Sequence, residues 1–315
     1  MSSRLVLHAD DFGMNRAVSD GVLHGFRHGL LTSTSLLANA PDAARALSQW
    51  KELLADQAAG RLPSADVRRR LGDPDYPFDL GVHLNLTQGR PLGGDRYPAE
   101  LLDSEGRFPG VFSLFARLRR SGDKLRGAIR DEWRRQIQFL CDHGLQPTHL
   151  NGHQYVEMLP ATAEIVPELI GQFGIQAVRV AWEPALLRNA VLHGFRIDKW
   201  PLALVKHLFA RKFRARVDAR GIAHSDAFYG TAHAGGVDLK LLRLFLASSR
   251  GHRLVEVGLH PGQSAEETSP EDQSNGWRDP LALSRPKELQ MLISEELPRY
   301  LESGGWRLGR LATGE

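Results

Sequence analysis

The chain is almost without cysteine. Its one thiol, Cys141, excludes any intrachain disulfide and with it the small stapled scaffolds of secreted domains. No apolar run approaches the ~20 residues that a membrane helix needs. The first residues run straight into RLVLHADD, without the long apolar core and small-residue cleavage site of a secretory leader. A soluble, cytoplasmic protein is therefore expected. Charge of one sign is also lacking: 40 Lys and Arg stand against 37 Asp and Glu, for a net charge of +3. An isoelectric point of 9.1 reflects an Arg-rich composition and does not by itself call for nucleic acid. No nucleic-acid recognition motif is present, so no such partner is expected. GxGxxG after the first strand and GxxxxGK[ST] are both missing, which leaves Rossmann and P-loop readings weak. No internal repeat or low-complexity tract occurs.

What is present is an ordinary globular composition, 42% apolar and 24% charged over 315 residues. Short apolar runs alternate with helical patterns. RLVLHA reads as a strand, and Val18, Val22, Phe26 and Leu30 recur every four residues in an amphipathic helix over 15–30. TSTSLLAN, DLGVHLNLT (79–87), LQPTHLNGHQ, IQAVRVAW (175–182), HRLVEVGLHPG (252–262) and WRLGRL read as further strands. Between them lie helices starting at PDAARALSQW, along Ile129, Trp133, Ile137 and Leu140, and over about 161–173. This order predicts an α/β fold with a mostly parallel sheet. The polar residues of interest fall at the ends of apolar runs, where β/α barrels gather catalytic groups. The expectation is a single domain over 1–315, an irregular β/α barrel with insertions near 55–78, 88–113 and 183–236.

Asp10 and Asp11 sit side by side where the first strand ends, and their repulsion calls for nearby cations. Adjacent residues on an extended chain point in different directions, so the two carboxylates need not share one partner. In LGVHLNLT, His83 and Asn85 alternate with leucines and valine and share the polar face. THLNGHQYVEMLP adds His149, Asn151, His153 and Glu157. Two imidazoles and a carboxylate with an open position form a known catalytic metal arrangement. Asp11, His83 and either His153 or His149 could supply it. In LVEVGLHPG, Glu256 and His260 share a face, and a His at a strand exit can protonate a leaving group. Arg179 is an isolated cation in an apolar strand and requires an anionic partner, for which Asp10 is the natural candidate. The basic stretch from Lys206 to Arg220 carries Leu208, Phe209, Phe213 and Val217. It reads as a covered surface helix or as a contact with a membrane surface or an anionic partner.

ADDFG, GVHLNLT, THLNGHQYVEMLP and GLHPG, in that order, resemble the YdjC-like carbohydrate deacetylases, which include chitooligosaccharide deacetylases and hopanoid-associated proteins. VRVAWEP, AFYGTAH and RPKELQMLISEEL are softer matches, and the resemblance runs from about residue 4 to about residue 310. It implies an irregular β/α barrel and hydrolysis of an N-acetyl group from an amino sugar with one divalent metal. Zn suits such ligands, with Mg or Mn as alternatives. It further implies Asp10 as general base, His260 as general acid, and Asp11, His83 and His153 as metal ligands. Arg179 and Glu256 would support them. His149, Asn151, Tyr229 and His233 would back the ligands or touch substrate. Many members read H-x-D-S-H-H-H-V-H where this chain has His149, Asn151, Gly152, His153, Gln154, Tyr155 and Glu157. Asn151 resembles the hopanoid-associated branch, which implies a lipid-linked amino sugar. The residues alone leave two other readings: another metal-dependent barrel hydrolase such as a phosphoesterase, or a non-catalytic carbohydrate- or lipid-binding protein. Peripheral membrane contact and homo-oligomerisation stay open.

Overall fold

A computed structural model describes residues 3–75, 77–121, 125–184, 186, 200–264 and 269–312. The apolar runs become strands of one parallel sheet. They are β1 (Arg4–Phe12), β2 (Ser33–Leu36), β3 (Asp79–Leu84), β4 (His149–Gly152), β5 (Ala177–Val178), β6 (Ala227–Tyr229), β7 (Leu254–Leu259) and β8 (Arg307–Leu308). The order across the sheet is β5-β4-β3-β2-β1-β7-β6, and β8 pairs with β1 off this path. The expected irregular barrel is thus an open half-barrel. At its gap the Val178 N–H donates to Ala223 O at 2.9 Å and the Phe228 N–H to Trp182 O at 3.0 Å. These bonds satisfy edge groups that a closed ladder would otherwise pair.

Helices pack on the outer face. Asn15 caps the helix Arg16–Arg27, its Oδ1 accepting from the Val18 N–H at 2.9 Å, and Val18, Val22 and Phe26 are buried against the sheet. That helix stops at Arg27, short of the expected 30, and Leu30 is buried in the following loop. Ile129, Trp133, Ile137 and Leu140 are buried along the helix Arg126–Asp142, as their spacing predicts. Leu5, Leu7 and Ala9 of β1 belong to this outer core, whereas Val6 joins Ala177, Leu254 and Leu311 in a separate apolar cluster. The alternation of strand side chains therefore separates two interiors. One is the greasy layer under the helices. The other is the inside of the half-barrel, apolar at its floor and polar above. The floor is closed by the chain's last described turn, where the Leu311 N–H donates to Asp79 Oδ2 at 2.6 Å.

The stretch 183–236, expected as an excursion, is partly framework. β6 lies inside it and pairs with β7 in register, Phe228 opposite Glu256. Three residues, AFY, are too few to show a period, so the strand was invisible to pattern reading. Residues 185 and 187–199 of that stretch lie outside the described residues. Its basic part belongs to the helix Trp200–Asp218.

Candidate active site

The polar residues of the barrel interior rise in layers along the strands. Val6, His8 and Asp10 of β1 face inward, as do Leu254 and Glu256 of β7, His83 of β3, His149 and Asn151 of β4, and His153 in the turn that follows β4. Alternation alone would send Asp11 the other way. The chain prevents this by giving Asp11 a left-handed backbone, φ +65°, and the β1–β2 register slips between Ala9 and Phe12. Asp is one of the few non-glycine residues that tolerates this region. The turn brings both carboxylates into one cavity. Strain of this kind collects at functional sites.

Asp10 is buried and ringed by donors. Arg179 Nη1 donates to its Oδ2 at 2.8 Å, and Asn151 Nδ2 to its Oδ1 at 3.2 Å. His8 Nε2 stands 3.2 Å from Oδ1, and His260 Nε2 3.8 Å from Oδ2. Burial alone would raise its pKa, but the Arg179 guanidinium and then His83 outweigh that and hold the carboxyl well below its usual range. Arg179 is itself wholly buried. Its Nε donates to Glu256 Oε1 at 2.7 Å, and its guanidinium lies 4.8 Å from the Phe228 ring centre. Burial pushes Glu256 up, against the pull of Arg179. Burial and Arg179 lower His8 to about 3, so its ring is neutral.

Asp11 faces a different set. His153 Nδ1 lies 3.1 Å and His83 Nε2 3.5 Å from its Oδ1, and Arg285 Nη2 donates to its Oδ2 at 2.7 Å. Against burial, Arg285 and then His153 hold its carboxyl well below the usual range. One donor atom from each of Asp11, His83 and His153 lies within 4.8 Å of the others, and all three residues are buried. A carboxylate and two imidazoles converging at that spacing fit a divalent cation. The surroundings also orient them. Because Asn151 Nδ2 donates to Asp10, its Oδ1 is left to accept from His83 Nδ1, 2.9 Å away. With a proton on Nδ1 for that bond, Nε2, the ring nitrogen 3.5 Å from Asp11, is the one placed to meet a cation. Asn151 thus couples the two carboxylates. On the far side, Asn85 Oδ1 accepts from the Thr87 and Gln88 N–H groups, holding Gln88 so that its Nε2 lies 3.2 Å from His153 Nε2.

Not every candidate reaches the cavity. His149 lies below it, its Nδ1 2.9 Å from Thr148 Oγ1 and its ring edge-on to His8 at 5.0 Å. The room for that ring comes from Gly81, where a methyl would stand 2.4 Å from His149 Nε2. His149 is therefore packing beneath the site, and His153 is the member of the pair that meets Asp11 and His83. Tyr229 points outward from β6 and stacks on Phe245 at 4.9 Å, and His233 meets the same ring at 5.8 Å. Tyr229 sits in the helix layer because β6 alternation turns Phe228 inward instead, and His233, four residues beyond the strand, packs on the same ring. His260 is held by its backbone N–H, which donates to Glu288 Oε2 at 2.6 Å. Its ring stands at the rim beside Asp10.

Sequence reasoning missed several partners. Arg285, which also donates to both oxygens of Asp279 at 2.7 and 2.9 Å, opens the RPKELQMLISEEL helix. That helix ends at Leu292 and a second starts at Glu296, and nothing in the pattern of the stretch marks Arg285 out. His8, two before Asp10 on the same strand face, was readable from alternation. Gln88 and Glu288 carried no signal of spacing.

Three other buried carboxyls are pushed up mainly by burial: Asp79 to about 7, Glu157 to about 7 and Glu183 to about 8. An acid whose folded pKa is raised binds more protons folded than unfolded, so its stabilisation is full below the unfolded value and is lost as pH rises through the folded one. Glu183 thus weakens the fold as pH climbs from 4.5 to about 8. Glu183→Gln is expected to flatten the fall in melting temperature from mildly acid to mildly alkaline solution, by roughly 2–4 kcal/mol of stability. An unchanged slope would reject the assignment of Glu183 as neutral.

A parallel half-barrel with its polar centre at the carboxyl ends of the strands defines an α/β-barrel enzyme scaffold. The chain belongs to the YdjC-like protein family, whose model matches residues 4–303. It is 29% identical to a mouse (Mus musculus) carbohydrate deacetylase, covering 97% of this chain and 93% of that one. It is 26% identical to a chitooligosaccharide deacetylase of Yersinia enterocolitica, covering 98% of each. A solved structure from Enterococcus faecalis, provisionally described as a cellobiose-phosphate cleavage protein, superposes with a TM-score of 0.64 at 20% identity. It covers 99% of this chain and 98% of its own and supports the fold alone.

Proposed function

We propose that this chain is a metal-dependent carbohydrate N-deacetylase that hydrolyses the acetamide of an N-acetylated amino sugar. The observation that carries the reading is the division of Asp10 and Asp11: one cavity, two neighbouring carboxylates, two separate sets of partners. Curated relatives named carbohydrate deacetylase and chitooligosaccharide deacetylase support the reaction class. Asp11, His83 and His153 would hold the ion. A divalent cation bound there would supply Lewis acidity toward the acetyl carbonyl and the attacking water.

The chain's own groups supply the rest. Asp10, ionised and oriented by Arg179 and Asn151, accepts the proton of the attacking water. Arg179 and Asn151 hold the carboxyl ionised and aimed, so it is ready to take a proton. The water oxygen bonds to the acetyl carbon, and the C–N bond then breaks. His260, whose Nε2 lies 3.8 Å from Asp10 Oδ2, donates a proton to the departing nitrogen. Acetate and a free amine are the products, and all atoms are accounted for.

The test is mass spectrometry of free, oligomeric and lipid-linked N-acetyl amino sugars incubated with metal-loaded protein. Loss of one acetyl group with release of acetate is expected; release of phosphate from phosphoesters instead would favour a phosphoesterase. In parallel, Asp11→Asn and His83→Asn are expected to weaken metal affinity by more than ~100-fold, beyond the usual cost of losing an outer-shell partner. Calorimetric titration reads this independently of turnover. Unchanged affinity in both variants would remove the proposed centre.

A further inference from the structure

Two helices flank the site on the side of the turn that carries His153. Helix Val111–Ser121 and helix Trp200–Asp218 meet through Phe115 and Phe209, whose ring centroids lie 6.1 Å apart. Their outer face carries apolar side chains that nothing covers among the described residues. Phe112 is 72% exposed, Leu208 51% and Val205 44%. Helical spacing puts Val205, Leu208, Phe209 and Lys212 in one stripe, and Phe112, Phe115 and Arg119 in the other. An open groove of about 430 Å³ runs between the helices and the segment 159–161. Its wall is apolar, from Phe115, Leu118, Leu159 and Phe209 among others, and Arg119 is its one charged residue.

The charge on this face has a single sign. Residues 111–121 and 200–217 contain no Asp or Glu. Arg119, Arg120, Arg211 and Lys212 are exposed, and none has a carboxylate partner among the described residues. Further along, Arg214 and Arg216 are neutralised by Asp218 and Glu164. Unpaired cations around protruding Phe, Leu and Val, over a greasy groove, complement an anionic lipid surface. A second copy fits poorly, because a two-fold interface would set these four cations against their own images. No described helix is long and apolar enough to cross a membrane, so the contact would be peripheral.

We propose that this face docks on an anionic lipid bilayer. Phe112, Val205 and Leu208 enter the boundary between headgroups and acyl chains, the four cations meet lipid phosphates, and the groove accepts one acyl chain beside Arg119. The docked face adjoins the catalytic mouth. Lys206 Nζ lies 4.6 Å over the ring of Tyr155, two residues beyond His153, and Leu159 continues the same turn into the groove. A glycan carried at the membrane would thus reach the site; this last step rests on the deacetylase reading, whereas the docking does not.

The test is flotation of the full chain with vesicles of phosphatidylcholine alone and of equimolar phosphatidylcholine and phosphatidylglycerol, at low and high salt. Binding is expected only to the anionic vesicles and is expected to weaken with salt. Arg211→Glu with Lys212→Glu should weaken it about tenfold or more. Phe112→Ser with Leu208→Ser should weaken it to a similar degree. Both pairs are exposed and outside the cavity, so activity on a soluble N-acetyl sugar stays unchanged and certifies the fold. Flotation by neither vesicle, or by both equally, overturns the proposal. So does a concentration-dependent dimer, free of lipid, that the Phe112/Leu208 variant dissolves, because that outcome gives the face to a second copy. Failure of the deacetylase assay alone would leave the flotation result standing.

Discussion

Asp10→Asn is expected to lower turnover on the preferred N-acetylated sugar by on the order of 10³-fold, about 4 kcal/mol of transition-state stabilisation, and to leave metal affinity within a few-fold of the unchanged protein. The geometry separates the two effects. Asp10 contacts Arg179, Asn151, His8 and His260, whereas the ligand set is built on Asp11. Asn has the shape of Asp, and its one oxygen can take the place of Asp10 Oδ2 in accepting from Arg179, so the packing around position 10 is kept. What is lost is the carboxylate proposed to take the proton of the attacking water, beside the proposed metal ligands and His260. Steady-state kinetics together with calorimetric metal titration decide the matter. If Asp10→Asn releases the metal and Asp11→Asn retains it, the roles of the pair are reversed. If Asp10→Asn keeps near-full turnover, proton removal lies elsewhere, and His260 becomes the first group to test.

How far the sequence could lead is visible in this pair. The strand ends, the inward face of β3 and a set of Asp11, His83 and either His153 or His149 were legible, because period-2 alternation and strand-end position are local properties, and the family resemblance singled out His153. The interior position of Asp11 was not. It depends on one left-handed residue and a slipped register, and neither leaves a compositional trace. The repulsion of the two anions called for two cations. One, Arg179, was readable as a charge stranded in an apolar strand. The other, Arg285, is 274 residues from Asp11 and lies on a helix with no unusual pattern, so only the fold could deliver it. Tyr229 and His233 failed for the opposite reason. A motif placed them near the site, but the direction of a three-residue strand decides whether a side chain looks into the barrel or under a helix. β6 turns Phe228 inward and Tyr229 out.

Arg179→Met is expected to cost about 3–5 kcal/mol of folding stability, a large share of the roughly 5–15 kcal/mol that holds a typical domain. The guanidinium bridges two buried carboxylates, Asp10 at 2.8 Å and Glu256 at 2.7 Å, and no other arginine or lysine pairs with either among the described residues. Methionine fills most of the volume and removes the charge, so the loss is electrostatic rather than a cavity. The pH dependence gives the sign. With Arg179 present, the folded pKa of Asp10 lies below its ordinary value of 3.8, so its contribution is present above that pH and is lost as pH falls. Without Arg179, burial, the largest influence on Asp10, loses its main opponent and the same carboxyl moves up, so less of its contribution is lost as pH falls. The variant should therefore gain more stability on mild acidification than the parent, whose raised Glu183 and Glu256 already favour it. Adding Glu256→Gln removes one of the two stranded charges and should restore part of the loss, which a general packing defect would not allow. Urea unfolding of the single and double variants at two pH values measures all three effects. An Arg179→Met protein as stable as the parent, with the parent's pH slope, would show that the buried triad does not hold the barrel floor together. A destabilised variant with rescue by Glu256→Gln would tie the stability of the fold to the same guanidinium that keeps the proposed base ionised.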